Sequence, residues 1–371
     1  MKRPDFTNSN YVDMEFEFYY CYLKARRHKR STTDEMKFEV YEMKNIIDLI
    51  MSIELRKYRP GRSIAFIIFD PVIREIFAAP FRDRIVHHFL YECCAPWWER
   101  RFIEDSYSCR KGKGTLYGIQ RLYEHMRVVT NDFTKEGYVI KMDIEGYFTS
   151  LVRKRLYERI VWGLDKQFPN KGKRYELLRY LWREVIFDDP TDGVRLRGSS
   201  RDWAKLPDRK SLLRQPSGRG VVIGNLTSQL LSNIYLDQLD RYVKFVLGYR
   251  HYGRYVDDFY IVVKKEQLKK AIDDIAAIRI FLRTLGLKLH RRKLYIQPIR
   301  HGVGFLGVVL YPHHIVPSKR LKKNFRMVAR RYAQIQNSDA VILSYLGAMT
   351  HMNSKNFAHK VFLENGWVHR F

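Results

Sequence analysis

The stretch GRYVDDFYIV, Gly253 to Val262, places two adjacent aspartates, Asp257 and Asp258, inside an apolar run. Val256 precedes them, and Phe259 and Ile261 to Val263 follow. HYGRYV and FYIVVK each read as a strand, so the pair sits at the tip of a strand-turn-strand hairpin. Like charges in contact repel, and partial burial raises the cost. A divalent cation removes it. Mg²⁺ is hard, takes oxygen ligands and shares its shell with substrate phosphates.

A second element must supply carboxylate. YVIKMD, residues 138–143, reads as an apolar strand ending on Asp143, 114 residues before Asp257. An aromatic, Phe148, follows five residues later. Two ions about 4 Å apart, held by such a set, can activate a 3′-hydroxyl and stabilise a leaving pyrophosphate. The chain carries 68 Lys and Arg against 40 Asp and Glu, a net charge of +28. A polyanion partner compensates such an excess, and nucleic acid is the commonest one. No apolar run approaches membrane-spanning length and no signal-peptide core opens the chain, so a soluble cytoplasmic protein is expected. Hydrophobic residues at 46% exclude a disordered chain. Cys21, Cys93, Cys94 and Cys109 make no CxxC pair and read as reduced structural thiols.

Along the chain, residues 11–58 show helical periodicity. RSIAFIIFDP, 62–71, reads as a strand stopped by Asp-Pro, with VIREIFAAP as its hairpin partner. Phe81 to Trp98 returns to a helix, and residues 188–220, rich in Gly, Pro, Ser and charge, read as a loop or insertion. EQLKKAIDDIAAIRIFLRTLG is a helix. LKLHRRKLYIQPI and VGFLGVVLY are expected to pair as a hairpin. The last 55 residues read as helical and basic. Helices mixed with short strands indicate α+β, with an antiparallel sheet carrying the acids.

KMDIEGYF followed by YVDD resembles the palm motifs of reverse transcriptases. The resemblance runs in order from about Arg62 to Tyr311 and implies a right-hand polymerase fold with fingers, antiparallel-sheet palm and helical thumb. The implied segments are a helical N-terminal extension (1–60), fingers with part of the palm (61–137), palm (138–315, with the insertion 188–219) and thumb (316–371). Asp143, Asp257 and Asp258 would be the catalytic metal ligands, binding two Mg²⁺ ions with Mn²⁺ as a substitute. Arg74, Ile144, Phe148, Ile223, Gln229 and Lys293 would contact the dNTP, Phe148 as the steric gate against ribose. The Lys that often shortly precedes the fingers Arg is missing, with Val72 two residues before Arg74. Arg110, Lys111 and Lys113 in SYSCRKGKGT, the primer-grip residues Gly304, Phe305, Leu306 and Gly307, and Lys319, Arg320, Lys322 and Lys323 of the thumb would hold template and primer.

The block GVVIGNLTSQ, with Ile223 and Gln229 where most bacterial relatives read QGxxxSP, resembles the enzymes of diversity-generating retroelements. That resemblance implies an RNA-directed DNA polymerase that copies a template-repeat RNA into cDNA, misincorporating opposite adenines, for mutagenic retrohoming into a variable repeat. It also implies a small basic pentameric accessory protein as partner. The alternative is an antiphage-defence or other orphan bacterial reverse transcriptase. With the chain closing at Phe371, target cleavage is expected from another protein.

Overall fold

A computed structural model describes residues 2–27, 32–69, 72–332 and 339–365. In chain order the helices and strands are α1 (Met14–Ala25), α2 (Thr33–Glu39), α3 (Glu42–Glu54), β1 (Ile64–Ile68), β2 (Arg74–Ala78), α4 (Phe81–Glu99), α5 (Thr115–Val129), β3 (Gly137–Asp143), α6 (Tyr147–Ser150), α7 (Arg153–Gln167), α8 (Lys173–Phe187), β4 (Arg195–Arg197), α9 (Ser200–Ala204) and α10 (Leu226–Arg241). There follow β5 (Tyr252–Tyr255), β6 (Asp258–Lys264), α11 (Leu268–Thr284), β7 (Tyr295–Pro298), β8 (Val303–Phe305), β9 (Val308–Tyr311), β10 (His314–Pro317), α12 (Lys319–Tyr332), α13 (Asp339–Met349) and α14 (Lys355–Glu364). The architecture is mixed α+β. No helix of the described residues is long and apolar enough to cross a membrane.

The chain divides into two compact units. One comprises Met1–Glu104, Ile144–Tyr242 and Ile278–Leu289; the other Asp105–Asp143, Val243–Ala277 and His290–Phe371.

The first unit is mainly helical. α4 buries Phe81, Ile85, Val86, Phe89, Leu90 and Trp98, and packs on α1 and α10. The expected hairpin forms: β1 and β2 pair antiparallel, Ile64 opposite Ala78 through Ile68 opposite Arg74. Its Asp70–Pro71 stop lies outside the described residues. The segment read as a loop also supplies β4, which pairs parallel with β1. Ala65 and Phe77 share a small core with Leu212 of that segment and with Val222 just after it. Arg174 of α8 is fully buried and bonds both carboxylate oxygens of Glu17, at 2.7 and 2.8 Å. It also donates to the carbonyls of Asn8 and Tyr11, which fastens the N-terminal segment to α8. Cys21, Cys93 and Cys94 are buried free thiols here.

The second unit is built on a four-stranded antiparallel sheet in the order β5-β6-β3-β7. β6 buries every residue from Phe259 to Val263, and β3 buries Val139, Ile140 and Met142. A sheet buried on both faces reads as a continuous apolar run, which is why FYIVV shows no alternation. α5 packs against this sheet through Ile119, Leu122 and Met126.

LKLHRRKLYIQPI and VGFLGVVLY do not pair with each other. The first supplies β7, which joins the sheet beside β3, Tyr138 opposite Pro298. The second folds on itself: β8 and β9 pair antiparallel, with β10 beyond β9. The physical reason is local. Leu306 and Gly307 both have positive φ, 46° and 91°, the backbone of a two-residue type I′ turn. The expected basic helical tail is α12 to α14, whose core is Phe325, Val328, Ala329, Ile342, Met349 and Val361.

Candidate active site

Asp143 ends β3 and Asp258 begins β6, and the register sets them directly opposite each other. Asp257 belongs to the two-residue turn between β5 and β6, where Tyr255 pairs with Asp258. Sheet pairing thus gathers three carboxylates from positions 114 residues apart. Burial, and then the charge of Asp143, push the Asp257 carboxyl up to about 6. Asp258 is also raised, first by burial and further by Asp143, with Lys141 opposing.

Two lysines answer this negative charge. Lys293 Nζ lies 2.8 Å from Asp143 Oδ2, and Lys141 Nζ lies 3.3 Å from Asp258 Oδ2. Asp258 Oδ1 is buried without a hydrogen-bond partner. Among the described residues no three His, Cys, Asp or Glu side chains stand close enough together to enclose an ion. A three-ligand protein cage is not what Mg²⁺ requires, since it usually takes one or two carboxylates plus substrate phosphates and waters. The donors fit that ion: hard carboxylate oxygens, one of them buried and unsatisfied.

The turn itself is strained and braced. Val256 has φ 56°, an outlier for a β-branched residue and a position where a II′ turn favours glycine. Arg254, fully buried, donates from Nη1 to the Val256 carbonyl at 3.0 Å and from Nη2 to Ser106 Oγ at 3.2 Å. Main-chain bonds Arg254 N to Asp105 O and Tyr107 N to Arg254 O tie the segment 105–107 to β5. Gly253 is required, because a Cβ there would strike the hydroxyls of Tyr107 and Tyr260. Those two hydroxyls bond each other at 2.7 Å, and Tyr260 also contacts His125 Nδ1 at 3.2 Å. Behind them Asp105 takes Arg121 Nε at 2.8 Å and Lys244 Nζ at 3.1 Å. A hydrogen-bonded polar layer therefore supports the strand that carries Asp258.

Of the other expected site residues, the second unit holds those assigned to template and primer. Arg110 is buried and donates to the Ser106 carbonyl at 2.9 Å, so it shapes the loop from within. Lys111 is exposed, and Lys113 lies over the Tyr117 ring. Gly304, Phe305, Leu306 and Gly307 form the β8–β9 hairpin end, and Lys141 Nζ reaches the Gly304 carbonyl at 3.3 Å. Lys319, Lys322 and Lys323, with Arg326, Met327 and Arg330, line a groove of about 510 Å³ along α12. Arg320 is exposed on the same helix.

The first unit holds Arg74, Ile144, Phe148, Ile223 and Gln229. Arg74 opens β2 and is exposed, Ile144 is buried, and Gln229 is exposed on α10. Val221 N donates to the Phe148 carbonyl at 2.8 Å, and Phe77 N to the Ile223 carbonyl at 2.9 Å. The segment 221–223 therefore links α6 to β2. Gly224, at φ 132°, is pressed so closely on the Phe77 carbonyl that no Cβ fits. Three functional neighbours escaped the sequence reading. Lys141 was legible in principle, two residues before Asp143 and so on its strand face. Arg254 and Ser106 carried no local signal, because a sequence does not show that a basic residue is buried.

No protein-family model matches the chain. Protein YkfC of Escherichia coli (strain K12) is 22% identical over 303 residues, covering 73% of this chain and 70% of that protein. Among solved structures, apo telomerase from Candida tropicalis, truncated from its C-terminal domain, is similar over 75% of this chain with a TM-score of 0.47 and 13% identity. Telomerase from Candida albicans with a TWJ fragment of telomeric RNA is similar over 86% of this chain, with a TM-score of 0.48 and 12% identity. The chain spans 60% and 57% of those two telomerase chains.

Proposed function

We propose that this protein is an RNA-directed DNA polymerase with Asp143, Asp257 and Asp258 as its catalytic carboxylates. The observation that carries this reading is the in-register meeting of Asp143 and Asp258 across β3 and β6, with Asp257 on the adjoining turn. A fold does not gather partly buried carboxylates and leave one buried oxygen unsatisfied without a use for it. Bound Mg²⁺ would supply Lewis acidity at the attacking 3′-hydroxyl and the leaving pyrophosphate. Asp143, Asp257 and Asp258 would share the binding, one or two carboxylates to an ion, with substrate phosphates and waters completing its shell. Lys293, half exposed at its side chain, would turn from Asp143 to a substrate phosphate. Lys141 would keep Asp258 ionised and oriented. The groove along α12 offers cations to a nucleic-acid backbone, contacts that position a duplex without reading its sequence. Phe148, five residues after Asp143, is assigned the role of excluding ribonucleotides.

The finer assignment is a diversity-generating retroelement enzyme copying a template-repeat RNA, with a basic pentameric accessory protein as partner. Its support is the IGNLTSQ block, in which Ile223 stands where a polar Gln would offer a hydrogen bond. A pocket with one fewer polar contact discriminates less between substrates. The deciding experiment is dNTP incorporation on a primed RNA template. Purified protein should extend the primer with Mg²⁺, and Asp257→Ala should abolish extension while leaving the melting transition intact. An Asp257→Ala protein with retained activity would remove the carboxylate assignment. Sequencing the cDNA tests the finer role: errors concentrated opposite adenine, and fewer of them with Ile223→Gln, are the expected result.

A further inference from the structure

Far from the acidic cluster in sequence, the N-terminal helices carry an apolar surface that the fold of their own unit leaves uncovered. α3 buries Ile46, Leu49, Ile50 and Ile53 on one side. On the other, Met43, Ile47, Met51 and Leu55 recur every fourth residue and are 44% to 59% exposed. Residues four apart share a helix face, so these side chains form one ridge. Met36, Val40 and Tyr41 extend it toward α2, at 47% to 68% exposure. Seven large side chains, each about half exposed, present on the order of 700 Å² of apolar surface, above the roughly 300–600 Å² of the largest patch on a typical monomer.

The charge on these helices differs from that of the whole chain. Their exposed charged residues are Asp34, Lys37, Lys44, Asp48 and Glu54, followed by Arg56 and Lys57 just after Leu55, a near balance of charge against a chain total of +28. A nucleic-acid backbone is not drawn to such a face, and a second copy of the protein is not repelled from it. The ridge is also self-complementary. Its positions are symmetric about residue 49. In an antiparallel pair of α3 helices, Met43 of one copy lies level with Leu55 of the other, and Ile47 with Met51. Lys44 falls level with Glu54 by the same symmetry. A two-fold interface needs this property, the same patch matching itself.

We propose that the α2–α3 face is a homodimer interface, in which two copies pack α3 against α3 in antiparallel fashion. Met43, Ile47, Met51 and Leu55 supply about half of the roughly 700 Å² per copy, and Met36, Val40 and Tyr41, packing past the end of the partner's α3, bring it toward the roughly 800 Å² per partner of a standard stable interface.

Sedimentation velocity on the full chain, free of nucleic acid and at about 0.5 M salt to screen the net charge, tests this. The wild type should sediment as a dimer at micromolar concentration. Ile47→Glu and Met51→Glu should each weaken association at least tenfold while the monomer keeps its wild-type circular dichroism spectrum, because both side chains are about half exposed. The double variant Ile47→Cys with Met51→Cys, in a Cys109→Ser background that removes the exposed thiol, should form a disulfide-linked dimer on oxidation. Within one helix the two Cβ atoms are about 5–6 Å apart, too far for an internal bridge. A wild type that stays monomeric up to about 100 µM would overturn the proposal, since a self-association of this size is expected well below that. So would a dimer that survives both Glu substitutions, or a face covered only by a different protein.

Discussion

Replacing Asp257 by Asn should make the metal-free protein more stable while removing its activity. The charge at Asp257 is held against burial and against Asp143, which push its pKa from 3.8 to about 6. The folded state therefore binds this proton more tightly than the unfolded state. Its contribution to stability is full below pH 3.8 and is lost as pH rises through 6. At pH 7.5 the carboxylate is ionised in both states, and a gap of about two pKa units costs the folded state roughly 3 kcal/mol. Asn has the same shape without the charge. Its amide needs partners of its own, so the net gain should be about 1–3 kcal/mol, or roughly 1–4 °C in melting temperature for a chain of this length. The assay is thermal unfolding of both proteins in chelator at pH 7.5 and 4.5. At pH 4.5 the wild-type penalty shrinks to about 1 kcal/mol by the same linkage, and the difference should shrink with it. Mg²⁺ added at pH 7.5 should also narrow the gap, because a ligand that binds only the folded wild type stabilises it by mass action. An Asn variant no more stable than wild type at pH 7.5, or a gain independent of pH, would refute the electrostatic account of the site.

Three further outcomes are expected. Arg254→Lys keeps the buried charge but loses the fork that holds Val256 O and Ser106 Oγ; kcat for dNTP incorporation should fall about 100-fold, as for a misplacement near 1 Å, with KM for dNTP little changed in steady-state kinetics. Phe148→Ala should raise incorporation of ribonucleotides relative to deoxyribonucleotides at least about tenfold, and unchanged sugar selectivity in a competition assay would refute the gate. Arg174→Met strands Glu17 in the interior and should cost about 3–5 kcal/mol in urea unfolding, part of which Glu17→Gln in the same chain should restore.

The chemistry of the site was written into short segments. Asp143 and the Asp257–Asp258 pair were visible because each interrupts an apolar run, and strand rules place an interruption at a strand end or a tight turn. The β1–β2 hairpin and the C-terminal helices α12 to α14 followed from local periodicity and composition in the same way. The pairing of LKLHRRKLYIQPI did not, because its partner β3 lies more than 150 residues away and backbone hydrogen bonding is blind to sequence separation. The positive φ of Val256, the burial of Arg254 and Arg110, and the placement of Lys293 on Asp143 were likewise hidden. An arginine has one letter whether it reaches for phosphate or props a turn from inside. The sequence alone determined which carboxylates exist and which strands bear them. Only the tertiary structure decided that β3 and β6 align Asp143 opposite Asp258, that two lysines hold that charge meanwhile, and that a buried arginine fixes the turn, because register and burial are settled by packing across the whole sheet.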